Sequence, residues 1–126
     1  MKRVNLTLLL ASACLFCSAQ IMTKLDNKTY KVNTTQLSEG VRGYKGTTPI
    51  DITIKKDKIV SVVLLENKET PRFVNRVETE LLPKYVGKKV NKCLREQPDG
   101  VTGATFSSRA VKENIRLALL YYKNNK

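Results

Sequence analysis

Between Ile50 and Lys55 apolar and polar residues alternate. Ile50, Ile52 and Ile54 share one face and Asp51, Thr53 and Lys55 the other, the period of two of a half-buried strand. Lys56-Asp57-Lys58 forms a short polar turn, and Ile59 to Leu65 follows as a near-continuous apolar run. The pattern predicts an antiparallel hairpin whose second strand is covered on both faces. Thr29 to Val32 has strand character as well. From Phe73 the spacing lengthens: Phe73 or Val74, Val77, Leu81, Leu82 and Tyr85 recur at steps of three and four, a helix with one apolar face. Thr70 is placed to cap it, with Pro71 at its first position. Pro83 ends or kinks the helix before it, and Gly87 closes the segment. A second helix is predicted from about Ser107 to Tyr122, with Ala110 or Val111, Ile115, Ala118, Leu119 and Tyr122 on one face and Arg109, Lys112, Glu113 and Arg116 on the other. Residues 88–98 read as a basic connector, and Val101 as facing the sheet. The fold class is α+β: a small antiparallel sheet, a helix after Glu69-Thr70-Pro71, and a C-terminal helix after the loop at 99–105.

The beginning of the chain follows different rules. Lys2 and Arg3 precede an apolar run from Leu6 to Cys17, too short to span a membrane, and Cys17-Ser18-Ala19 resembles a small-x-small cleavage site. Residues 1–19 are therefore expected to be a signal peptide, with acylation of Cys14 as the rival processing route. Residues 20–27 are polar and aperiodic, an expected N-terminal tether or loosely docked arm. Residues 28–126 form the single domain. Cys14 and Cys17 fall inside the signal, which removes the redox or metal meaning of their Cys-x-x-Cys spacing. Cys93 remains, without a partner for an internal disulfide. Lys92 and Arg95 beside it favour a somewhat acidified thiol, and the simpler reading is a passive cysteine.

Charge narrows the choice of partners. Residues 1–19 contain Lys2 and Arg3 and no acid, so their removal takes the net charge from +12 to about +10. That balance favours phosphates or an anionic membrane surface. Nucleic acid is disfavoured, because the lysines are dispersed and aromatic residues are few. Histidine is absent, which excludes Ser-His and Cys-His catalysis and any His-ligated metal site.

The chemistry concentrates between Asp99 and Ser108. Asp99-Gly100 is a turn signal, Gly103 permits a backbone conformation closed to other residues, and hydroxyl residues follow directly before a helix. Unpaired N–H groups and the positive end of a helix dipole make such a junction a seat for phosphate. Read without any further context, it is an Asp-Gly turn with a serine-rich helix start. Asp99, Thr102, Gly103, Ala104 and Thr105 also resemble the flavinylation motif Asp-x-x-(Ser/Thr)-Gly-Ala-(Thr/Ser) of FMN-binding domains, found in subunits of the sodium-pumping NADH:quinone reductase, in Rnf complexes and as small exported proteins. Tyr30-Lys31 and Gly43-Tyr44-Lys45-Gly46 resemble opening segments of these domains. Glu69, Thr70 and Pro71 resemble their Glu-Thr-Pro-Gly segment, with Arg72 in place of glycine.

The resemblance implies FMN esterified through its phosphate to Thr105 by a separate flavin transferase that uses FAD. It also implies cofactor contacts from Asp99, Thr102, Gly103, Ala104, Ser108, Glu69 and Thr70. Nothing in the sequence near Thr105 is a strong base, which agrees with an outside enzyme supplying base and metal ion. Lys112, Arg109 and the helix N-terminus are candidates to stabilise a reduced, anionic flavin. No nicotinamide fingerprint and no catalytic set is legible, so the expected role is an exported, periplasmic or membrane-associated electron carrier between an unidentified donor and acceptor. Two alternatives stay open: a non-covalent flavin-binding reductase, and a secreted basic binding module without cofactor.

Overall fold

The computed structural model describes residues 20–126; the expected signal peptide, with Cys14 and Cys17, lies outside the described residues. Four strands, β1 (Met22–Lys24), β2 (Thr29–Asn33), β3 (Ile50–Lys55) and β4 (Lys58–Leu64), form one antiparallel sheet in chain order. The register places Val32 opposite Ile52, Ile52 opposite Val62 and Ile50 opposite Leu64. Val32, Ile50, Ile52 and Ile54 consequently share the inner face and are fully buried. Each such side chain contributes roughly 1.5–3 kcal/mol by leaving water.

Two expectations for the sheet need correction. Within the expected tether, Met22–Lys24 is a strand paired with residues 30–32, and Ile21 and Met22 pack against the core. The second hairpin strand is not covered on both faces. β4 is the sheet's edge, and Val60 and Val63 are half exposed. The register shifts opposite Thr53/Ile54, so Val60 is the extra residue of a bulge. A bulge bends an edge strand and breaks its alternation, which separates the apolar run from two-sided burial.

The hairpin turn has positive φ at both central residues, Lys56 (52°) and Asp57 (64°). That conformation matches the twist of the flanking strands but is unfavourable for a lysine. The Asp57 carboxylate accepts hydrogen bonds from the Tyr122 hydroxyl (2.6 Å) and Lys126 Nζ (2.8 Å), tying the turn to the end of the chain. Lys56→Asn, which tolerates this geometry, is expected to stabilise the protein by about 0.5–1 kcal/mol, read as a higher urea midpoint at unchanged m-value.

Helix α1 (Pro71–Arg76) runs into a wider π turn (Val77–Leu81) and a tighter 3₁₀ turn (Leu82–Lys84). Pro83 explains the change of pitch: it has no N–H to offer, and the Leu82 N–H reaches back five residues to the Val77 carbonyl. Thr70 starts α1 through its backbone. Its carbonyl accepts from the Phe73 and Val74 N–H groups, and its hydroxyl makes no cap bond. Val77, Leu81, Leu82 and Tyr85 are buried as their spacing predicts. The Tyr85 hydroxyl is buried without a hydrogen-bond partner. Tyr85→Phe is expected to stabilise by about 1 kcal/mol, measured as a rise in thermal midpoint.

The basic connector contains a helix, α2 (Val90–Arg95), which buries Val90 and Cys93. Burial pushes the Cys93 thiol upward against the opposing influence of Lys88 and Lys92, so the cysteine is not acidified. The long C-terminal helix α3 (Thr105–Asn125) lays Ala110, Val111, Ile115, Ala118, Leu119 and Tyr122 on the sheet. Buried Asn114 accepts from the Thr34 hydroxyl and donates to Thr48 Oγ1 (3.2 Å) and the Ala110 carbonyl (3.0 Å), fixing α3 along the sheet. No helix among the described residues is long and apolar enough to cross a membrane.

Candidate functional site

Thr105 is the first residue of α3; the helix begins two residues earlier than the apolar spacing suggests. The loop before it is held from below. Val101 is buried, its carbonyl accepts from the Ala104 N–H (3.1 Å), and its N–H donates to Ser108 Oγ (3.3 Å). A Cβ at Gly100 would come within 2.9 Å of that Ser108 oxygen, so glycine is needed for the close approach. Gly103 has φ +87°, and a Cβ there would meet the Arg76 guanidinium at 2.8 Å. The outcome is an exposed Thr105 whose hydroxyl has no hydrogen-bond partner among the described residues. The N–H groups of Thr105, Phe106 and Ser107 are unpaired as well, as expected of a first helical turn.

An aromatic wall stands beside this hydroxyl. Tyr44 lies 6.2 Å from Phe73 at 80° and 6.2 Å from Phe106 at 33°, between ring centroids. Tyr44 and Phe106 expose 61% and 57% of their surface, an unusual amount for large rings that have partners in reach. The three rings border an open cleft of about 560 Å³, also lined by Lys45, Arg72, Gly103 and Thr105. Arg109 lies over the Phe106 ring at 5.6 Å. A larger groove of about 650 Å³ runs between β4 and Leu82, Pro83 and Val86, but Glu78 is its one charged side chain. The chemistry belongs to the smaller cleft.

Glu69 braces the cleft from behind. It is buried, and its carboxylate accepts from the N–H groups of Tyr44 (2.8 Å), Lys45 (2.5 Å) and Gly46 (3.1 Å) and from the Ser107 hydroxyl. One side chain thereby joins the 43–46 loop, the start of α1 and the first turn of α3. A Cβ at Gly43 would run into the same carboxylate, so glycine is required there. Burial works to raise the Glu69 pKa, but the Ser107 hydroxyl and the three N–H donors together outweigh it and hold the carboxyl below its ordinary range.

The expected site residues divide accordingly. Thr70, Gly103, Ala104 and Thr105 line the cleft. Glu69 and Ser108 are buried supports, and neither lies on its wall. Thr102 is exposed in the turn before Gly103, off the wall. Asp99 is exposed too, and its carbonyl accepts from Lys84 Nζ (3.4 Å). Lys112 lies outside the cleft, beside Gln97, whose amide donates to its carbonyl. Tyr44, Lys45, Phe73, Phe106 and Ser107 also line the cleft, though none is among the expected cofactor contacts. The Gly-Tyr-x-Gly segment marked Tyr44, while Phe73 and Phe106 were concealed among core-type apolar residues.

The arrangement suits a flat aromatic group bearing a phosphate. It offers stacking rings, a free Thr105 hydroxyl, unpaired N–H groups at a helix N-terminus, and cations on the wall. Residues 43–120 match the FMN-binding domain family. The chain is also similar to NADH:acrylate oxidoreductase of Vibrio harveyi, at 29% identity over 102 residues, covering 79% of this chain and 10% of that protein. It thus spans about a tenth of that relative's length. No solved structure matches the chain.

Proposed function

This chain belongs to the FMN-binding domain family, and on that premise we propose that it is an extracytoplasmic electron-transfer protein whose FMN is joined by a phosphoester to Thr105. The observation that carries the proposal is the exposed, unpartnered Thr105 hydroxyl at the first position of α3, set between unpaired N–H groups and the Tyr44–Phe73–Phe106 wall. Thr105 is the tether, and the first N–H groups of α3 hold the phosphate. Tyr44, Phe73 and Phe106 offer faces and edges to a planar ring, and Gly103 leaves room for it. The bound cofactor supplies one- and two-electron transfer, while the chain supplies position and electrostatics.

The chain does not activate its own acceptor. It has no histidine, and Asp99 is exposed away from the cleft. A separate flavin transferase therefore provides the base and metal ion, taking FMN from FAD and releasing AMP. Covalent attachment suits an exported protein, because a diffusing cofactor would be diluted away. The relative's name, an NADH:acrylate oxidoreductase, supports a place for such a domain in a chain of electron carriers. The donor and acceptor here are membrane or periplasmic partners, and the basic surface favours contact with anionic lipid headgroups.

The test is the intact mass of the mature protein before and after incubation with a bacterial flavin transferase, FAD and magnesium. A gain of FMN minus water, mapped to a peptide containing Thr105, is the expected result. Flavin released on denaturation from an unmodified polypeptide would favour the non-covalent reductase. Protein that stays colourless would favour the basic binding module.

A further inference from the structure

The charged side chains that line the cleft beside Thr105 are both cations. Lys45 and Arg72 line it, no carboxylate does, and neither has an ion-pair partner among the described residues. Arg76, next to Gly103, is different because Glu80 pairs with it at 3.0 Å. Glu69 is buried behind the wall, with its oxygens already engaged by N–H and O–H donors. Arg72 is the more informative of the two free cations. It occupies the second position of α1, where the helix dipole disfavours positive charge, and it is exposed, without an ion-pair partner among the described residues. It stands where the Glu-Thr-Pro-Gly segment would place glycine. Its guanidinium lies over the Phe73 ring at 5.5 Å, held along the wall of the cleft.

We propose that Arg72 raises the reduction potential of the flavin carried in this cleft, an inference that rests on the function proposed above. Two-electron reduction with uptake of one proton leaves the ring with one negative charge; the electrons come from the donor protein, or from dithionite in a titration. A cation on the wall stabilises that charged state and leaves the neutral oxidised ring nearly unaffected. Arginine suits the position because its planar group stacks on Phe73 and is always charged. Arg72 acts through its field and is not a catalytic residue.

The test uses the full mature chain, flavinylated and with flavin content fixed by mass. The proteins compared are wild type, Arg72→Gly, Arg72→Lys, Arg72→Glu, and Lys123→Gln at the far end of α3. Two quantities are read: the midpoint potential, and the affinity for sulfite, an anion that adds to the oxidised ring and leaves negative charge on it. In Arg72→Gly sulfite affinity is expected to fall about two- to fivefold, the worth of one partly solvated charge. The same factor in the two-electron equilibrium lowers the midpoint by about 10–20 mV. Arg72→Lys keeps most of the effect, Arg72→Glu falls further, and Lys123→Gln matches wild type. If Arg72→Gly takes up no flavin, the lysine and glutamate variants provide the comparison. Flavinylated Arg72 variants with unchanged potential and sulfite affinity overturn the inference and leave the carrier function standing. A wild-type chain that never acquires flavin overturns both.

Discussion

Thr105→Ala is expected to abolish covalent flavin incorporation, leaving intact mass unchanged after treatment with transferase and FAD, while Thr105→Ser retains it. The loss is complete under the proposed linkage to that hydroxyl, because Thr102, Ser107 and Ser108 are not placed to substitute for it. Ser107 and Ser108 are buried, one donating to Glu69 and the other spent on the Val101 loop. Thr102 is exposed but lies on the far side of Gly103, off the cleft wall. The Thr105 side chain makes no hydrogen bond among the described residues, so removing it leaves no buried group unpaired. Thr105→Ala should therefore keep its unfolding free energy to within about 0.5 kcal/mol, which separates loss of the acceptor from loss of the fold. Flavin mapped elsewhere in Thr105→Ala would refute the assignment.

Glu69→Gln is the second large effect, and it strikes stability and function together. The substitution removes the charge that three backbone N–H groups and Ser107 converge on, and turns an amide N–H₂ toward at least one of those donors. Hydrogen bonds to a charged group are worth about 1.5–3 kcal/mol each, and the neighbours relax, so a cost of about 2–4 kcal/mol in urea unfolding at pH 7 is expected. Because the carboxyl lies below its ordinary range when folded, its contribution is fully present above the unfolded value, about pH 4.3. It is lost as pH falls through the folded value. Wild type should thus lose stability between pH 5 and 3 more steeply than Glu69→Gln. Parallel acid limbs would remove Glu69 from this role. Flavinylation should slow as well, since the variant frees Tyr44 from the turn that bears Thr105.

The contrast between these residues shows what a sequence makes legible. Ile50, Ile52 and Ile54 announce their strand because period two needs no partner to be read, and Pro83 announces its break because the missing N–H is local. The face of α3 was readable for the same reason. Whether Val60 and Val63 are covered depends on what lies beyond β4, and nothing within Ile59–Leu65 carries that information. The short strand at 22–24 borrows its hydrogen bonds from residues 30–32, and α2 draws its stability from burying Val90 and Cys93. Neither has enough periodicity of its own to be seen. The site divides in the same way. Gly103, Ala104 and Thr105 sit in one contiguous stretch, whereas Tyr44, Phe73 and Phe106 converge only after folding. The Glu-Thr-Pro segment marks Glu69 in the sequence, whereas its four donors, from residues 44–46 and 107, are brought to it only by the fold.

The seat of Thr105 on a folded helix also sets an order of events. Its neighbours arrive from positions 44, 69, 73 and 107, and the Glu69–Ser107 bond closes a separation of 38 residues. A nascent or unfolded chain displays the hydroxyl without the surrounding fixture, so under the proposed function a transferase is expected to meet its acceptor only after the domain has closed. On that proposal, acquisition of the yellow colour would work as a timestamp, each coloured molecule being one that finished folding first.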